Sequence, residues 1–159
     1  MSWITRTAIG VATITLHVKQ YKEADITHID ISQTLTGGIS GTSEKRTLSW
    51  EVNDHTDHIF GHVNGQTRFF RAAEVDGKTR PDLDMQTKIG KDSDDQLALR
   101  FLRGEILSDG SECEGFLVDG ENGDYFVQSW VKSIDNGWTA EQVSRAYIIL
   151  FPPCTYSYL

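Results

Sequence analysis

Short runs that alternate polar and apolar residues, each cut off by turn-forming residues before a helical period can build up, most restrict what this chain can fold into. They are densest over residues 36–71, TGGISGTSEKRTLSWEVNDHTDHIFGHVNGQTRFFR. Residues 47–52, 59–63 and 67–70 each repeat with period two, the period of a half-buried strand. Asn64-Gly65 stands between the last two runs. Both of its residues tolerate positive φ, so a two-residue hairpin joining 59–63 to 67–70 is expected, within a β-meander.

That hairpin would fix the faces. With Val63 opposite Gln66, facing residues share a side of the sheet. Ile59, Gly61 and Val63 then lie with Gln66, Arg68 and Phe70, and His58, Phe60 and His62 lie with Thr67, Phe69 and Arg71. If the first face is the inner one, Arg68 enters the core. Along the preceding run, Leu48 and Trp50 continue a face that carries Glu44 and Arg46, which places a second arginine beside a carboxylate. An unpaired charge in an apolar interior is very costly, so a buried arginine needs a partner. Two arrangements satisfy this. Glu44 and Arg46 pair near a rim or in solvent, or the arginines form the cationic floor of a pocket with apolar walls.

The remaining chain continues the strand pattern. Residues 11–21, VATITLHVKQY, alternate with Ile14, Leu16 and Val18 on one face. Residues 26–35 place Ile29, Ile31, Gln33 and Leu35 together, so Gln33 is an amide among hydrophobes and is either hydrogen-bonded structure or a ligand contact. Gly37, Gly38 and Gly41 permit a reversal, but no Gly-Lys-Ser/Thr follows them and the pattern is not a phosphate loop. Residues 74–95 read as a long polar connection with a short strand near 85–89. Strand character returns over 97–107, briefly at 116–118, and over 125–134, which is apolar on both faces as in a strand covered on both sides. Thr139 and Gln142 have capping-box spacing, from which one helical turn is expected. A closing strand over 143–151 stops at Pro152-Pro153.

Composition removes several classes of function. At 159 residues the chain fits one domain, 1–159. Its net charge of -8, with no stripe of Lys or Arg, argues against nucleic acid, whose phosphates require a clustered basic surface. No apolar run approaches the roughly 20 residues of a membrane helix, and the start lacks a secretory signal order, so no membrane and a cytoplasmic location are expected. Cys113 and Cys154 lack metal-ligand spacing; reduced thiols are the default, with a disulfide between them open. Asp92, Asp94 and Asp95 lack the ligand order of a calcium loop. His58 and His62, four apart on a strand, would stand about 13 Å apart, too far to share an ion, and His55 falls in a loop. No metal and no cofactor are expected.

Many short strands, little helical periodicity and one domain length indicate an all-β antiparallel sandwich or up-and-down barrel with at most one or two short helical turns. A barrel of about eight strands can enclose one small ligand. Residues 36–50 (TGGISGTSEKRTLSW), with Asp57-His58-Ile59-Phe60-Gly61, Gly65-Gln66-Thr67-Arg68 and Asn136-Gly137-Trp138-Thr139-Ala140-Glu141-Gln142, resemble small lipocalin-like, calycin-type proteins of filamentous fungi. Some of these are cofactor-free cyclases, Diels-Alder catalysts among them, of secondary-metabolite pathways. The tail FPPCTYSYL departs from the charged strand expected there. The resemblance implies a single antiparallel up-and-down barrel holding an apolar polyene or terpenoid-like intermediate, and cyclisation or isomerisation as its chemistry. Such a reaction needs a folded substrate and hydrogen-bond donors that polarise a carbonyl. Trp50, Phe70 and Trp130 would form the wall, Arg46, Arg68, Gln33 and Gln128 the donors, and Glu44 would orient Arg46. The competing class is a non-catalytic carrier of a fatty acid or pigment, with an arginine on the ligand carboxylate. A third is an interaction module built on exposed edge strands. The partner expected is a small hydrophobic substrate or ligand, with a homodimer left open.

Overall fold

The computed structural model describes residues 13–57, 60–116, 125–146 and 156–158. The chain divides into two compact units, Met1–Arg46 with Phe151–Leu159, and Thr47–Leu150. Both are antiparallel β structure.

In the first unit, β1 (Ile14–Glu23) and β2 (Ile26–Leu35) form a hairpin with Glu23 opposite Ile26. The connecting residues Ala24 and Asp25 take φ of 47° and 67°, the positive values that match a two-residue turn to the right-handed twist of the strands. Ile14, Leu16 and Val18 stand opposite Leu35, Gln33 and Ile31, so the expected alternation is realised. With β3 (Ile39–Thr47) and β9 (Tyr156–Tyr158) the sheet runs in the order β3-β2-β1-β9. Gly41 of β3 lies so close to Gln33 that a β-carbon there would sit 2.9 Å from that of Gln33. Only glycine allows this approach without a shift.

The second unit is organised around β5 (Gly61–Val75), a strand of 15 residues. On one edge lies β4 (Asn53–Asp57), on the other β7 (Tyr125–Ser133) and then β8 (Thr139–Ala146), while β6 (Lys78–Pro81) returns on the far end of β5. Neither sheet closes into a barrel among the described residues. Phe126 is fully buried, and Val63, Leu83, Ile106 and Val127 join it in the core. As expected for 125–134, β7 is covered on both faces, with Phe126, Val127, Gln128 and Ser129 all buried.

The Asn64-Gly65 hairpin does not form. Asn64 pairs with Asp54 on one side and Lys132 on the other, and Gly65 with Asn53 and Val131. The reversal falls between Asp57 and Gly61. Gly61 takes φ 72°, and a β-carbon there would lie 2.6 Å from Asp135 Oδ2, which accepts the His62 N–H at 2.8 Å. Neighbours on both edges satisfy the backbone of Asn64-Gly65, and that pairing outweighs its local turn preference. Because β5 is uninterrupted, the expected faces change. His62, Asn64, Gln66, Arg68 and Phe70 share one side, and Val63, Thr67, Phe69 and Arg71 the other.

Three further expectations are corrected. Residues 47–52 are not a strand: β3 ends at Thr47, Ser49 makes an isolated bridge to Arg68, and Trp50 takes φ 64°. Residues 97–107 are not a strand either, because α1 (Asp92–Leu102) occupies 11 residues there, more than the one or two short turns expected. Leu97, Ala98, Phe101 and Leu102 fit the i, i+3, i+4 spacing of a helix as well as they fit alternation. Asp92, Asp94 and Asp95 form its first turn, where carboxylates complement the helix dipole. The Ile89 N–H, 2.7 Å from Asp95 Oδ1, holds that carboxyl below its ordinary value. Lastly, Thr139 begins β8 opposite Lys132 and caps no helix. Phe116 is in no strand, and residues 117–118, 147–151 and Cys154 lie outside the described residues. No helix among those described is long and apolar enough to cross a membrane.

Candidate functional site

Strand pairing within the second unit assembles one unusually polar sheet face. Arg68 stands opposite Gln128, Gln66 opposite Trp130 and Phe70 opposite Phe126, with Glu141 of β8 on the far side of Trp130. Facing residues share a side, so the three strands bring two glutamines, an arginine, a glutamate and three aromatic rings together.

The fully buried amide of Gln128 is the centre of this face. A buried amide without partners costs about 1 to 3 kcal/mol, and here both ends are satisfied. Its Nε2 donates to Glu141 Oε1 at 2.6 Å and to the main-chain oxygen of Asp84 at 2.9 Å. Its Oε1 accepts Arg68 Nε–H at 2.7 Å. Glu141 also accepts two backbone N–H groups from the strap of residues 82–89 that leads from β6 to α1. Gln86 donates at 3.0 Å and Thr87 at 2.9 Å, both to Oε2. One carboxylate thereby ties the strap down across β7 and β8.

Arg68 is held on two sides. Its guanidinium lies over the Trp50 ring at 4.4 Å, a cation–π contact. Trp50 is fixed in turn: its N–H donates to Thr67 O at 3.0 Å, and its carbonyl accepts Gln66 Nε2 at 2.7 Å. These bonds explain how a tryptophan is kept at positive φ. Among the described residues, Arg68 has no carboxylate partner and its Nη donors have no protein acceptor. The buried indole N–H of Trp130 likewise has no partner among the described residues. Phe70 and Phe116 pack on Phe126, with ring centroids 5.8 Å and 5.1 Å away.

The same face carries His62, whose Nε2 lies 2.6 Å from Asp54 Oδ2. That hydrogen bond raises the imidazole above its ordinary value. The described residues hold no group of three or more His, Cys, Asp or Glu side chains placed to bind a metal ion.

Of the residues singled out from sequence, Arg68, Gln128, Trp50, Phe70 and Trp130 belong to this unit. Gln33, Glu44 and Arg46 belong to the other. Arg46 pairs with Glu44 through Nε–Oε1 at 2.8 Å and Nη2–Oε2 at 2.9 Å, and Gln33 is half-buried on β2 opposite Leu16. Sequence reasoning passed over Gln66 and Glu141. Glu141 was hidden by the capping-box reading; read as a strand, Thr139, Glu141 and Val143 alternate onto one face.

A separate apolar groove of about 420 Å³ runs between α1 and residues 106–110, lined by Leu97, Phe101 and Leu107, with Asp94 and Asp109 as its charged groups. An anionic head is repelled there, whereas Arg68 attracts it. Compared with protein-family models, with curated proteins and with solved structures, the chain matches none.

Proposed function

We propose that this protein binds an apolar small molecule bearing a carboxylate or a polarised carbonyl, with Arg68 receiving that head group. One observation carries the reading: a half-buried guanidinium, aimed by Gln128 and stacked on Trp50, has no acid partner among the described residues. Arginine is rarely buried without an opposite charge. An amide fixes its orientation but leaves its charge uncompensated, so the free Nη edge suits a planar oxyanion held bidentately. Trp50 and Phe70 supply apolar surface beside it. The lipocalin-like barrel of small fungal calycin-type proteins is the setting that this proposal adopts.

A second reading is a cofactor-free cyclase or isomerase of the Diels-Alder type, acting on an apolar secondary-metabolite intermediate. It is favoured by the preorganisation of the donors, since Arg68 is oriented before any substrate arrives and the Trp130 N–H is unspent. Donors fixed where charge develops lower a barrier without reorganising. Bonds form and shift only within the substrate, so no co-reactant is required.

Decanoate and its methyl ester, titrated by calorimetry, test binding. Decanoate is expected to bind and Arg68→Ala to abolish that binding; equal binding of decanoate by wild type and variant overturns the reading. Native mass spectrometry of protein from its producing organism separates the two classes. A co-purifying apolar acid supports a carrier, and turnover of a co-purifying molecule's precursor supports a cyclase.

A further inference from the structure

Resting on that reading of Arg68, we propose that Glu141 is the positioning residue of the site, acting on Arg68 through the amide of Gln128. An ionised carboxylate only accepts, a guanidinium only donates, and a primary amide has one end of each kind. Glu141 Oε1 and the Asp84 carbonyl both face Gln128 Nε2, so both demand its donating end. The carbonyl end is thereby turned to Arg68 Nε. Read from Glu141, the chain has a single consistent direction.

Removing the carboxylate leaves the Asp84 carbonyl as the one acceptor on Nε2, by the longer of the two bonds, and weakens that direction. If position 141 turns an N–H donor toward the amide, Gln128 is driven toward a half-turn that the Asp84 carbonyl alone resists. Its NH₂ would then oppose the guanidinium, donor against donor, and Arg68 would lose the bond that aims it. Glu141 performs a second task with the same oxygens, holding the Gln86 and Thr87 N–H groups of the strap. It therefore sets both the arginine and the segment that crosses its sheet. The intervening amide also keeps the carboxylate from pairing directly with Arg68, so the cation is oriented but not neutralised.

Solvent exchange of the Arg68 Nε–H, followed by NMR in the full chain without ligand, tests this independently of any ligand. E141Q is expected to speed that exchange by roughly tenfold, the size of one lost hydrogen bond, while backbone amides of β5 and β7 stay protected. The conservative variant E141D keeps a group at this position that only accepts, and its exchange is expected to stay closer to the wild-type rate than that of E141Q. Unchanged exchange in E141Q overturns the proposal, as does exchange in E141D as fast as in E141Q. Should E141Q fail to fold, E141D decides alone: folded with slow exchange supports the role, and folded with fast exchange overturns it. If wild type ignores decanoate while the exchange results hold, the ligand reading fails and the positioning role of Glu141 stands.

Discussion

Two arginines, one in each unit, solve the same electrostatic problem in different ways. Arg46 takes its partner from two residues away on its own strand, a bidentate pair with Glu44 that leaves the glutamate side chain 42% exposed. Arg68 takes its partner from Gln128, 60 positions along the chain on a neighbouring strand, and that partner is a fully buried neutral amide. The first arrangement uses up the cation. The second orients it and leaves its charge available. A local ion pair stabilises modestly in water, whereas a long-range network of buried polar groups ties several strands into one geometry and loses heavily if one member is removed.

The comparison breaks most sharply at Gln128. Gln128→Leu would strand the Arg68 Nε–H and remove a donor from Glu141, and is expected to cost about 3 to 5 kcal/mol by urea denaturation. Glu44→Gln at the other arginine is expected to cost about 0 to 1 kcal/mol; equal losses would show that the two sites do not differ as described. Packing in the first unit gives the next largest effect. Gly41→Ala forces its β-carbon against Gln33 and is expected to destabilise by about 1 to 3 kcal/mol, read as a lower melting temperature. No change would mean that β2 and β3 separate without strain.

The smallest effect is a protonation difference. His62 is raised above 6.5 chiefly by its hydrogen bond to Asp54. A raised folded value means that the pair's contribution is fully present below the unfolded value and fades as pH rises through the folded one. NMR titration of His62 should therefore give a midpoint above that of a free histidine, and Asp54→Asn should bring it back toward 6.5. A midpoint unmoved by that substitution would remove Asp54 as the cause.

Much of the site's chemistry could be read from residue types, but its geometry could not. Arg68 and Phe70 share a face under any strand reading, because side chains alternate. Residues 125–134 were legible as a strand covered on both faces, and Gln128 lies within it, fully buried. Its partners could not be read, because the Asp84 carbonyl and the Glu141 carboxylate reach it only after the strap folds across β7 and β8. At Asn64-Gly65 the local signal misled. A turn preference is a short-range term, and strands on both edges supplied a larger one. The same competition turned the Thr139 capping box into a strand opposite Lys132, whereas over 97–107 two local periods fitted the residues and the helical one was realised.

The sequence by itself determined that this is an antiparallel β protein, that 26–35 and 125–134 are strands, and that Arg68 would need a partner where it is buried. Those properties follow from alternation and from the cost of burying charge, both written along the chain. Tertiary structure alone decided that β5 runs unbroken through Asn64-Gly65, that His62 lies on the side of Arg68, and that the arginine's partner is an amide anchored by Glu141. These depend on which strands become neighbours, and hydrogen bonds between residues tens of positions apart leave no periodic trace in the sequence.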